Sequence, residues 1–74
     1  KNMTPTELIC ERLHTNDLGK PITTCSVDSL DVLELLFEIE ETYDIDIPRD
    51  IDNGLRDGMR VGKLIEIVED LRTT

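Results

Sequence analysis

One hydroxyl stands apart among the side chains able to do chemistry. Ser29 follows Asp28 at the head of Asp28-Ser29-Leu30-Asp31-Val32-Leu33-Glu34-Leu35, a segment acidic on one side and apolar on the other. Asp is a favoured N-cap, so Ser29 falls in the first helical turn. There the backbone N–H groups lack intrahelical partners and the helix dipole favours anions. A phosphate ester formed on that hydroxyl would sit where the helix terminus already stabilises negative charge.

Other chemistries find fewer residues to use. His14 is the one histidine, with no Ser or Cys nucleophile fixed beside it by sequence and no Gly-rich phosphate loop. The chain therefore reads as a passenger for chemistry done elsewhere, without catalytic activity of its own. Cys10, His14 and Cys25 fall short of the four ligands that a structural zinc site needs. Cys10 reads instead as core filler and His14 as a cation near a helix C-terminus. The acids Asp44, Asp46, Asp50 and Asp52 suggest a calcium loop, but with Gly54 at loop position six, Arg49 and Ile51 occupy positions one and three. That register fails, and no metal is expected.

The elements that must position Ser29 follow from capping and periodicity. Thr4-Pro5-Thr6-Glu7 predicts a helix start, with Thr at N-cap, Pro at the first position and Glu closing a capping box. Met3 and Leu8 stand at the positions of a hydrophobic staple, Leu8, Ile9, Cys10 and Leu13 form an apolar side, and the helix is expected to end near Asn16. Residues 20–26 read as loop, with Ile22 and Val27 dipping into the core. The second helix is expected over Ser29–Tyr43. At about 100° per residue, Asp31, Glu34, Glu38 and Glu41 form an acidic stripe opposite Val32, Leu35, Leu36, Ile39 and Tyr43. Leu30, Leu33 and Phe37 widen the apolar arc beyond one packing contact. Gly54 and Gly58 limit the next segment to one helical turn. Val61, Leu64, Ile65, Val68 and Leu71 predict a final helix. Together these give an all-α, small four-helix bundle with a long first loop and a short, irregular third helix, in a single domain over residues 1–74. Residues 1–3 read as a tag or disordered start, with Met3 a candidate initiator.

Charge narrows the partners. The 74 residues carry 17 acids against 8 bases, a net charge of −9. Nucleic acid and anionic membrane surfaces both call for the opposite sign. An acidic domain is steered instead toward basic surfaces on other proteins. No apolar run approaches membrane-spanning length, and no basic-then-apolar signal segment is read in these residues. Two cysteines are too few for a disulfide framework, so they read as free thiols in a cytoplasmic protein.

From Asp28 to Pro48 the chain resembles, without a gap, the second helix of acyl carrier proteins. Asp28-Ser29-Leu30 opens the match and Glu40-Glu41-Thr42-Tyr43-Asp44-Ile45-Asp46-Ile47-Pro48 closes it. The resemblance implies that Ser29 bears a 4′-phosphopantetheine arm, installed from coenzyme A by a phosphopantetheinyl transferase using Mg²⁺. It implies that acyl intermediates of fatty-acid, lipid or polyketide synthesis ride on that arm as thioesters. It further implies docking on basic patches of acyl-loading and acyl-transferring enzymes through Leu30, Asp31, Glu34, Phe37, Glu38 and Glu41, by a monomer. Asp28 would cap the helix and help present the serine. Glu38 is an acid where the family often has a small or apolar residue. An aminoacyl, peptidyl or D-alanyl carrier is the alternative, and an unmodified helical interaction module is the alternative of another class.

The match weakens on both sides. Before Asp28 the family has an aromatic residue and a Leu-Gly step, whereas this chain has Ile22-Thr23-Thr24-Cys25-Ser26-Val27, and Leu18-Gly19 lies earlier. The segment after Pro48 is longer and richer in Gly. Both segments border the space where an acyl chain would tuck, so a specialised carrier is an open reading. The residues expected to part around an acyl chain are Ile9, Leu13, Leu36, Ile39, Ile47, Val61, Leu64, Ile65 and Val68.

Overall fold

Residues 3–73 are described by a computed structural model, Asp52 by its backbone alone. The first helix, α1 (Pro5–Leu13), starts as its sequence dictates. Thr4 Oγ1 accepts from the Glu7 N–H at 3.2 Å, and Glu7 Oε1 accepts from the Thr4 N–H at 3.0 Å. The helix stops at Leu13, short of the expected Asn16 boundary. His14 turns left-handed (φ 57°), and the Thr15 N–H closes the end on the Cys10 carbonyl at 3.1 Å.

Helix α2 (Ser29–Tyr43) occupies its predicted span and ends on a second left-handed residue, Asp44 (φ 54°). Just beyond, Glu40 Oε2 accepts from the Ile47 N–H at 2.8 Å, which folds the link back against the helix. Helix α3 (Ile51–Arg56) exceeds the single turn expected. Gly54 lies inside it rather than before it. Gly58 (φ 92°) ends it, with the Met59 N–H on the Gly54 carbonyl at 2.9 Å. Helix α4 (Val61–Arg72) buries Val61, Leu64, Ile65 and Val68, with Leu71 half-buried at its end.

The first loop, residues 14–28, is tied down by the start of α4. A 3₁₀ turn (Ile22–Thr24) sinks Ile22 into the core, with Cys25 just after it; Val27 is half-buried. The Ile22 N–H donates to the Met59 carbonyl at 2.8 Å. In return, the Val61 and Gly62 N–H groups donate to Lys20 at 3.0 Å and Leu18 at 2.7 Å. No side chain caps α4, so loop carbonyls satisfy the N–H groups its first turn leaves orphaned. The Arg60 guanidinium also donates to the Gly19 carbonyl.

Leu8, Ile9 and Leu13 of α1, Leu35, Leu36 and Ile39 of α2, and the α4 stripe form the core. Each such side chain withdrawn from water contributes about 1.5–3 kcal/mol before chain entropy is set against it. Cys10 is only half-buried, with its thiol pKa pushed up by desolvation, so the buried thiol of the core is Cys25. At the far end Tyr43 binds three elements together. Its hydroxyl donates to the Met3 carbonyl at 2.7 Å, and the Arg72 guanidinium lies 4.9 Å from its ring centre. Among the described residues no helix is long and apolar enough to cross a membrane.

Candidate functional site

Ser29 is the first residue of α2 and is exposed; its hydroxyl makes no hydrogen bond among the described residues. Capping is done by its neighbours. Asp28 Oδ1 accepts from the Asp31 N–H at 2.9 Å, and Asp31 Oδ2 accepts from the Asp28 N–H at 3.3 Å. This capping box, closed by two acids, holds the helix start rigid without using the serine oxygen. The Ser29 and Leu30 N–H groups still have no helical carbonyl to reach, so the terminus keeps its preference for an anion.

Beside Ser29 opens a cleft of about 460 Å³. One wall is α2, through Leu30, Val32, Leu33 and Leu36. The other is built from Ile22 and Thr23 of the 3₁₀ turn, Val27, and Leu55 and Arg56 of α3. Its deeper residues, Ile22, Leu36 and Leu55, are buried core members, so the cleft runs from a polar mouth to an apolar floor. A second opening of about 350 Å³ lies on the other side of Leu33 and Leu36, against Ile47, Pro48, Arg49 and Ile51.

Of the residues expected to part around a chain, Leu36 lines the first cleft and Ile47 the second. Ile9, Leu13, Ile39, Val61, Leu64, Ile65 and Val68 pack in the closed core instead. Leu55 and Arg56 also line the first cleft, beyond the residues expected from the sequence. Leu55, an apolar residue isolated between glycines, was the available signal.

The expected docking residues fall into three groups. Leu30 and Phe37 are 68% and 55% exposed, and Leu33 joins them at 40%. Glu34 and Glu41 are exposed and make no ion pair among the described residues. Asp31 is exposed but closes the cap. Glu38 is held from within the molecule by a two-point contact to Arg12, with Nε to Oε1 at 2.9 Å and Nη2 to Oε2 at 2.8 Å. Those hydrogen bonds bring the Glu38 carboxyl below its ordinary range; partial desolvation opposes them and the Arg12 charge adds to them. Cys10, His14 and Cys25 are not gathered, and among the described residues no group of three or more His, Cys, Asp or Glu side chains has metal-holding geometry.

A curated protein of Amoebophilus asiaticus (strain 5a2), described as an acyl carrier protein, is 37% identical over 65 residues. The alignment takes in 88% of this chain and 69% of that protein. No family model matches the chain, and no solved structure matches it with significance. With that identity over most of its length, on an all-α four-helix fold, the chain belongs to the acyl carrier protein family.

Proposed function

We propose that Ser29 carries a 4′-phosphopantetheine arm, installed from coenzyme A by a phosphopantetheinyl transferase with Mg²⁺. On this reading the protein presents acyl groups, in the cytoplasm, to enzymes of fatty-acid, lipid or polyketide synthesis. One observation carries the proposal: a free, exposed hydroxyl at the N-terminus of a 15-residue helix, at the mouth of an apolar-floored cleft.

The residues present suit such a group. The open N–H groups and dipole of the α2 start offset a phosphodiester's charge. The Asp28–Asp31 box fixes the backbone that bears it. The cleft offers apolar matter a place away from water. When attached, the arm supplies a terminal thiol that bears acyl groups as thioesters. What remains for this chain is presentation. Leu30, Leu33 and Phe37 offer apolar contact, and Glu34 and Glu41, with Asp31 beside them, offer charge to basic patches on partner enzymes. Docking of this kind is fast and readily reversed, as a carrier visiting successive enzymes requires. Tethering then raises the effective concentration of the cargo at each site.

Intact-mass measurement tests the assignment. Incubated with a promiscuous transferase, coenzyme A and Mg²⁺, the protein is expected to gain the mass of one arm. Ser29→Ala is expected to gain none while keeping its helical circular dichroism. An unmodified wild type, or a Ser29→Ala protein that still takes the arm, for example on Ser26, would overturn the reading.

A further inference from the structure

Of the seven cations among the described residues, Lys20, Arg49 and Arg56 have no side-chain hydrogen bond or ion pair. Arg12 holds Glu38, Lys63 lies near Glu66, Arg72 pairs with Glu69, and Arg60 donates to a loop carbonyl. Arg56 makes no hydrogen bond or ion pair among the described residues, yet it lines the Ser29 cleft and is the sole basic residue there. The lone acid of that lining, Asp28, already accepts the Asp31 N–H. Arg56 is also rooted firmly. It is the last residue of α3, directly after buried Leu55 and just before the turn that Gly58 closes. Its exposed head is therefore carried on a fixed backbone beside an apolar wall, where an opposite charge is screened less than in open solvent.

We propose that Arg56 is a positioning residue that pairs with the phosphodiester on Ser29 and lays the arm into the cleft along α3. The inference rests on Ser29 being the attachment point. A planar guanidinium offers two parallel donors that match phosphate oxygens. The phosphodiester is the anion whose place is fixed by a bond to Ser29 itself, at the cleft mouth, whatever the cargo. A carboxylate on an acidic acyl group would lie at the far end of a flexible tether, where no geometry of this chain holds it. Pairing at the mouth biases the rest of the arm toward Leu55 and Leu36 rather than toward solvent.

The test uses ¹⁵N-labelled wild type, Arg56→Gln and Arg56→Lys, each with and without the arm, with loading verified by intact mass. Attaching the arm alone is expected to shift the Arg56 Nε–H resonance and to raise the melting temperature by a few degrees. In Arg56→Gln the ³¹P resonance should move toward that of a free phosphodiester and the rise in melting temperature should fall by roughly half. Arg56→Lys should recover part of the rise but not the two-point contact. Unloaded Arg56→Gln, altered only at an exposed residue, should melt with unloaded wild type. A loaded wild type whose Arg56 resonance does not move overturns this proposal alone. Movement with a succinyl cargo but not with the bare arm or a butyryl cargo overturns it in favour of a cargo carboxylate. A wild type that gains no mass overturns the attachment and this proposal with it.

Discussion

Arg12 on α1 grips Glu38 on α2 through two parallel hydrogen bonds, so that one acid of the α2 stripe also joins two helices. Both side chains are about two-fifths exposed, so the pair is worth little in stability. Its pH dependence has a definite sign. The folded-state pKa of Glu38 lies below the ordinary value of 4.5, so the contribution is full above that value and is lost as pH falls through the lowered one. Glu38→Gln should melt slightly below wild type at neutral pH, and the two melting curves should converge as the medium becomes more acidic than 4.5. Curves that stay parallel into acid would show that the contact is absent in solution.

Gly62 is where the first loop touches α4 backbone to backbone. A Cβ there would lie 3.1 Å from the Leu18 carbonyl oxygen and 3.3 Å from Leu18 Cβ. The oxygen cannot retreat without stretching the 2.7 Å bond it accepts from the Gly62 N–H. Gly62→Ala should therefore destabilise the protein by about 1 kcal/mol despite the better helix propensity of alanine. Urea denaturation would check this, and a midpoint above wild type would mean that the loop yields freely.

Asp44 ends α2 in a left-handed conformation, and its negative charge stands at the helix end that disfavours anions. Asp44→Gly removes both penalties, at the cost of a more flexible unfolded chain. The expected net gain is about 0.5–1 kcal/mol, read from a higher melting temperature. Because Asp44 lies at the opposite end of α2 from Ser29, loading of the arm should be unchanged.

Reversing the unpaired acids tests the docking face. Glu34→Lys and Glu41→Lys should each weaken binding to the transferase by roughly fivefold or more, and wild-type binding should fall as salt rises. Stability should hold or improve, since net charge moves from −9 toward zero. Titration calorimetry at low and high ionic strength reads both effects. Undiminished binding of both variants at low salt would place recognition on another face.

Cargo length tests the cleft. Apolar surface withdrawn from water contributes about 25 cal/mol per Å², so thioesters longer than acetyl should raise the melting temperature until the cleft is filled. Leu55→Ala, which deepens the floor, should lower the stability of the unloaded protein and shift the optimum toward longer chains. A flat series from acetyl upward would mean that the cargo stays outside, and would favour an aminoacyl or small-acid carrier.

Much of this molecule was legible in the chain because its signals are local. The Thr4–Glu7 box, the Asp28 cap before Ser29, and the 3.6-residue spacing of Leu35, Leu36, Ile39 and of Val61, Leu64, Ile65, Val68 are each set by residues within a turn or two of one another. Backbone geometry therefore dictates helix starts, buried faces and the place of the serine before any tertiary contact forms. The end of α1 was less legible: His14 adopts a left-handed conformation in which glycine is usual, and stops the helix short of Asn16. Least legible were the relations across the chain. That Arg12 pairs with Glu38, that Leu18 and Lys20 cap α4, and that Leu55 and Arg56 face the cleft of Ser29 depend on elements far apart in sequence. Such contacts are decided when the helices pack, because burial of apolar area is non-directional along the chain and leaves polar groups to find whatever partner the assembled core brings near.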